Sequence, residues 1–153
     1  MTLYSRLVRR RPVKYLATAI LLLPMHLTFA RTMDVCPVLP PKSGLVWFYQ
    51  EGPDFDVCYA QDEKTEKTAF GVYLGFAPSF RPEESTQIGQ GMVGGHAITW
   101  HRQNVDSTFV IGRQALVKLG GKRNLVAHVW VGGDTEERLV QQLRVLAHIR
   151  FKL

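Results

Sequence analysis

Cysteine is scarce in this chain of 153 residues, which contains only two. Two thiols are too few for a disulfide-dense mini-protein or for a four-cysteine zinc site. Long apolar segments are also missing. No stretch of the sequence reaches the length of about 20 consecutive apolar residues that a membrane-spanning helix needs. With 46% hydrophobic and 21% charged residues, the composition is that of an ordinary small globular domain and excludes a disordered chain.

The first 30 residues lack acidic side chains and have the features of a secretory signal peptide. Five basic residues precede the apolar run Tyr15–Leu23, and the small residues Thr28 and Ala30 end the segment. We therefore expect cleavage after Ala30, which leaves residues 31–153 as a single mature domain. The alternative is an uncleaved anchor, which would make the protein a membrane-anchored accessory subunit.

The basic charge of the chain is concentrated in this segment. Of the 19 Lys and Arg residues, five lie in residues 1–30, whereas all 13 Asp and Glu residues follow. The mature chain therefore carries 14 basic and 13 acidic side chains. Binding to phosphate backbones needs a concentrated basic surface, so we expect no nucleic-acid partner.

The two cysteines both fall in the mature chain, at Cys36 and Cys58. Proteins exported to an oxidising compartment can hold disulfides, and neither cysteine lies in a CxxC motif. We therefore predict a structural Cys36–Cys58 bridge, which ties the proline-rich segment at residues 36–41 to the rest of the domain.

The mature chain predicts an α+β domain, in which an antiparallel sheet of about five to six strands precedes one helix. A loop is expected over Pro78–Gly95, and Arg113–Leu119 is ambiguous between a strand and a short helix. Aromatic and β-branched residues predict strands at Leu45–Gln50, Phe55–Gln61, Ala69–Ala77, His96–Arg102, Ser107–Gly112 and Leu125–Val131.

The C-terminal segment predicts an amphipathic helix packed on one face of the sheet. Asp134 and Glu137 form a capping-box-like start after two glycines. Ile149–Leu153 is expected to form a last short strand. The apolar residues with helical spacing are Leu139, Val140, Leu143, Leu146 and Ala147.

Alternation along the strands separates a core face from a second face. Core residues expected under the helix are Phe70, Val72, Leu74, Phe76, Ile98, Trp100, Leu125, Ala127, Val129 and Val131. The opposite parity places Tyr73, His101, His128 and Trp130 together on the second face. One helix cannot cover both faces of such a sheet, so the helix leaves this second face uncovered. We predict a recognition surface there; the alternative is a second core covered by the long loop and the N-terminal segment.

No catalytic motif stands out. Gly89–Gly94 matches the letters of a dinucleotide fingerprint, but a strand follows it where a helix is required. His96 and His101 point to opposite faces of a strand and cannot share a metal ion. The sequence thus favours a non-catalytic periplasmic or secreted accessory protein that binds an envelope protein, peptide or glycan and needs no cofactor. A small hydrolase with His101 or His128 as the general base is the alternative.

Overall fold

A computed structural model of the chain describes residues 34–103, 109–121 and 124–152. The predicted signal peptide at residues 1–30 lies outside these ranges, as does the first part of the strand predicted for Ser107–Gly112. No helix within the described ranges is long and apolar enough to cross a bilayer.

The described chain folds as one antiparallel sheet of seven strands with a C-terminal helix packed on it, so the predicted α+β fold is confirmed with more strands than expected. The strand order across the sheet is β1-β2-β3-β7-β6-β5-β4, which leaves β1 and β4 at the two edges. The elements are β1 (Leu45–Glu51), β2 (Asp56–Asp62), β3 (Thr68–Gly75), β4 (Gln87–Val93), β5 (His96–Arg102), β6 (Ile111–Gly120), β7 (Leu125–Gly133) and α1 (Glu136–Ala147).

Strand β4 lies inside Pro78–Gly95, so the prediction of an uninterrupted loop there is wrong. Gln87–Val93 contains two glutamines and two glycines, which have little preference for strands, and its apolar residues do not alternate with polar ones. As an edge strand, β4 is mostly exposed and needs no apolar face. Gly94 and Gly95 both have positive φ and connect β4 to β5 in a two-residue turn that favours glycine.

The ambiguous segment Arg113–Leu119 belongs to β6, whose pairing with β7 becomes irregular between Lys118 and Gly120. Ala115, Val117 and Leu119 are buried, and the residues between them are half-buried or exposed. This period of two is typical of a strand with one covered face. The strand therefore extends to Gly120, whose positive φ begins the turn to β7.

The helix begins one residue later than the sequence predicts. Thr135, not Asp134, is the N-cap, and its hydroxyl accepts the backbone N–H of Arg138. Backbone and Thr135 hydrogen bonds lower the pKa of Glu137 in the first turn. Two positions of the helix differ from the predicted apolar face. Gln142 is buried although it is polar, and Val140 is exposed although it was predicted to be buried.

The last residues form no strand of their own. Arg150 makes a single antiparallel bridge to Val38, with both backbone N–H groups donating across it. The proline-rich partner segment cannot extend that ladder, because proline supplies no N–H. The predicted strand Ile149–Leu153 is therefore replaced by one bridge over its described residues.

The core lies between the sheet and α1 and contains most of the predicted residues. Phe70, Val72, Ala127, Val129 and Val131 are fully buried in one cluster that includes helix residues, while Leu74, Ile98 and Trp100 are also buried. Leu125 is only half-buried, and Phe76, which follows β3, is 46% exposed. The chain has already left the sheet at Phe76, so strand parity no longer applies to it.

The predicted disulfide is present between Cys36 and Cys58, whose Cα atoms are 5.8 Å apart. Both cysteines are buried on the helix-covered side of the sheet. The Trp47 indole Nε1 also donates to the carbonyl of Pro37 at 2.7 Å. Together these contacts hold the proline-rich segment against β1 and β2.

Candidate functional site

A continuous line of rings crosses the face of the sheet that α1 does not cover, which we call the outer face. Successive ring centroids are 6.2, 5.8, 5.4, 5.1 and 5.6 Å apart, all within the range of aromatic contacts. We call this line the aromatic row. Its members, in order from the β1 edge, are Phe48, Tyr59, Trp130, His128, Phe80 and His101.

A glycine in β3 makes the row continuous. Gly71 of β3 pairs with Trp130 of β7, and a Cβ at Gly71 would overlap the Trp130 indole. The indole therefore lies across the bare backbone of β3 and reaches Tyr59 on β2. A side chain at Gly71 would separate the rings of β2 from those of β7.

Tyr73 lies beside this row rather than in it. It is the cross-strand neighbour of His128, and its ring stacks on Phe55 with centroids 5.2 Å apart. Its hydroxyl end extends over Gly75, where a Cβ would overlap it. Tyr73 and Trp130 remain half-buried, so both present part of their rings to solvent.

His101 is placed differently from the other predicted binding residues because it is only 6% exposed. Its Nδ1 lies 3.0 Å from the Thr86 hydroxyl and 3.2 Å from the carbonyl oxygen of Glu83. The ring of Phe80 makes an edge-to-face contact with its imidazole. His101 therefore attaches the loop between β3 and β4 to the sheet and offers little surface to a partner.

His128 is held neutral by its surroundings. Burial lowers the pKa of its imidazole from 6.5 to about 4. Its Nε2 lies 3.2 Å from the Gln114 side-chain oxygen, which only accepts hydrogen bonds, so the ring nitrogen is the donor. The stack on Phe80 covers one face of the same ring.

The loop covers part of the outer face, as the second-core alternative requires, but only near β5 and β7. Phe80 packs over His101 and His128, whereas the β1 end of the row stays open. Phe48 is 55% exposed. Beside Phe80, the loop also encloses a cleft of about 340 Å³, lined by residues that include Arg102, Gln114 and His128.

The arrangement is better suited to contact than to proton transfer. In the described ranges, the hydrogen bonds of His101 and His128 go to a hydroxyl, a carbonyl and an amide, not to a carboxylate. A general base works best with a pKa near the working pH, and that of His128 is about 4. The same ranges contain no group of three or more residues that could hold a metal ion.

The sequence prediction brought together Tyr73, His128 and Trp130 but missed half of the aromatic row. Phe48 and Tyr59 could have been found, because they have outer-face parity on β1 and β2. Phe80 carries no such signal, since it lies in a loop whose path depends on the rest of the fold. Gln114 was missed because it lies in Arg113–Leu119, the segment that the sequence left ambiguous between a strand and a helix.

Comparison of the chain with protein-family models, with curated proteins and with solved structures finds no match.

Proposed function

We propose that the protein is a non-catalytic accessory protein of the bacterial cell envelope, exported to the periplasm or beyond, which binds a protein, peptide or glycan partner through the aromatic row. The observation that carries this proposal is the open end of the row, where Phe48, Tyr59 and Trp130 are exposed or half-exposed in continuous contact. Exposed aromatic surface of this kind is concentrated at binding sites.

The disulfide supports the export part of the proposal. Disulfides persist in oxidising compartments and are rare in the reducing cytosol. The bridge joins Cys36, just after the predicted cleavage site, to Cys58 in the sheet. It therefore stabilises the mature domain only where thiols can become oxidised.

Binding is tested by capture from envelope extract with two matched phenylalanine variants. Phe48 is 55% and Phe76 is 46% exposed, and only Phe48 belongs to the row. We expect F48A to lower the recovery of a specific partner strongly and F76A to leave it unchanged. Co-sedimentation of the same two variants with purified peptidoglycan tests for a glycan partner. Equal recovery with both variants would contradict the proposal.

Export is tested separately on protein isolated from the producing cell without reductant. We expect the intact mass of a chain that begins at Arg31. We also expect no thiol that reacts with an alkylating reagent. A mass that retains residues 1–30 would contradict the predicted cleavage. Two reactive thiols would contradict export to an oxidising compartment.

A further inference from the structure

The ladder between β5 and β6 is much shorter than the other ladders of the sheet. It contains two residue pairs, His101 with Gln114 and Arg102 with Arg113. By contrast, β6 and β7 are paired at nine positions. Beyond Gln114 the two strands separate, although β5 remains paired with β4 and β6 with β7 on their other sides.

A cleft of about 810 Å³ lies at this separation. Ala97, Ile98 and Thr99 line it from β5, and Leu116 and Lys118 line it from β6. Its remaining walls are formed mainly by the loop before β4, by Gln87 and Gln90 of β4 and by Val126 of β7. The cleft is thus bordered on two sides by the parts of β5 and β6 that are not paired with each other.

Strand edges carry backbone N–H and C=O groups that form hydrogen bonds with another extended chain. We propose that this cleft binds an extended peptide segment of a partner protein, which adds as a strand between β5 and β6. Because β5 and β6 run in opposite directions, the inserted segment is antiparallel to one and parallel to the other. Main-chain hydrogen bonds would supply affinity, and the lining side chains would supply specificity.

The side chains of the cleft define the chemistry of that peptide. Ile98, Leu116 and Val126 offer apolar contacts. Glu83 and Glu84 lie on the loop wall, whereas Lys118 lies on the strand wall, so the two walls carry opposite charges. The peptide that fits is a short segment with aliphatic residues, a basic residue toward the loop and an acidic residue toward β6.

This site is distinct from the open end of the aromatic row, and its test does not depend on the proposed function. The probe is a displayed library of random peptides about eight residues long, a typical strand length, selected on the purified protein with its disulfide intact. Ala97 is exposed and lines the cleft, so A97W fills the site without disturbing the core. Ala77 is also exposed and lies outside the cleft, so A77W is the matched control.

We expect enriched peptides to bind A97W at least about tenfold more weakly than the unaltered protein and to bind A77W equally well. N-methylation of alternate peptide amides should abolish binding, because it removes the donors that a strand needs. In hydrogen exchange, the bound peptide should slow the amides of residues 97–99 and 115–118.

Failure to enrich any peptide would overturn the proposal, as would equal binding by A97W or insensitivity to N-methylation. Enriched peptides that lose affinity with F48A but not with A97W would place binding on the aromatic row. That outcome would overturn the strand-addition site while supporting the proposed function.

Discussion

The two faces of the sheet are built from the same strands but are stabilised differently. Phe70 and Gly71 are neighbours in β3; Phe70 is fully buried toward the helix, whereas Gly71 lies under the Trp130 indole on the outer face. The helix-covered face consists mainly of aliphatic side chains and a disulfide. The outer face consists of rings, imidazoles and a partial covering loop. The first arrangement serves stability, and the second leaves contact surface available.

The largest expected effect is the difference in unfolding free energy between truncating a ring on the helix-covered face and truncating one on the outer face. F70A should lower the free energy of unfolding by about 3–5 kcal/mol, because it empties a fully buried site that Trp47 contacts edge-on. W130A removes a half-buried ring and should cost about 1–2 kcal/mol. Urea unfolding of both variants measures the contrast. A W130A cost equal to that of F70A would make the outer face a second core.

The disulfide should contribute slightly less to the free energy of unfolding than the Phe70 side chain does. Cys36 and Cys58 are 22 positions apart, and their bridge stabilises by about 3 kcal/mol in the chain-entropy model. We expect the C36A/C58A double variant to show this loss in urea unfolding, and reduction of the unaltered protein to lower its melting temperature. If reductant leaves the melting temperature unchanged, the bridge does not stabilise the helix-covered face.

His128 should make the outer face sensitive to acid. Its pKa is about 4 in the folded protein, below its ordinary 6.5, so between these values the unfolded chain binds the proton and the folded protein does not. This contribution to stability is therefore present above pH 6.5 and is lost as the pH falls toward 4. The loss is on the order of 2 kcal/mol for a partly exposed ring.

The matched control for this prediction is H128Q, which has no titrating group at the position. Carboxylates also become protonated in acid, but they do so in both proteins. The difference in pH dependence between the unaltered protein and H128Q should therefore isolate His128 in urea unfolding measured from pH 7 to pH 4. Identical pH dependence in the two proteins would show that burial does not hold this imidazole neutral.

The smallest expected effect is at the β1–β2 edge of the helix-covered face. The Tyr49 hydroxyl donates to an Asp56 carboxylate oxygen at 2.5 Å, and this hydrogen bond raises the pKa of Tyr49 to about 12. Y49F should cost about 1 kcal/mol in unfolding free energy. It should also remove a tyrosine ionisation near pH 12 from the ultraviolet titration. D56N should move that ionisation to lower pH, and an unmoved transition would contradict the assigned cause.

Periodicity predicted the helix-covered face well because burial imposes it directly. Val72, Ala127 and Val129 are fully buried on the helix-covered face and must be apolar there, and each was assigned to the core from alternation alone. Strand β4 escaped the same reasoning, since an exposed edge strand needs no alternating pattern. The helix start was misplaced by one residue because Asp134 and Thr135 are both good caps, and only the backbone decides between them.

For the outer face, parity correctly placed Tyr73, His128 and Trp130 on the same side of the sheet, although the pairing of Tyr73 with His128 came only from the structure. It could not show that Phe80 would fold back over two imidazoles, or that His101 would consequently be buried. Both depend on the path of a loop, which no periodic pattern encodes. The separation of β5 from β6 was equally invisible, because a ladder is a relation between distant segments.

The sequence by itself determined the α+β class, the core face, the amphipathic helix and the cysteine pair. Each of these follows from local spacing or from the scarcity of alternatives. Only the tertiary structure decided which aromatic side chains meet across the strands and where the sheet opens into a cleft. The physical reason is that a buried face constrains every residue along it, whereas contacts on an open face depend on strand order and loop path.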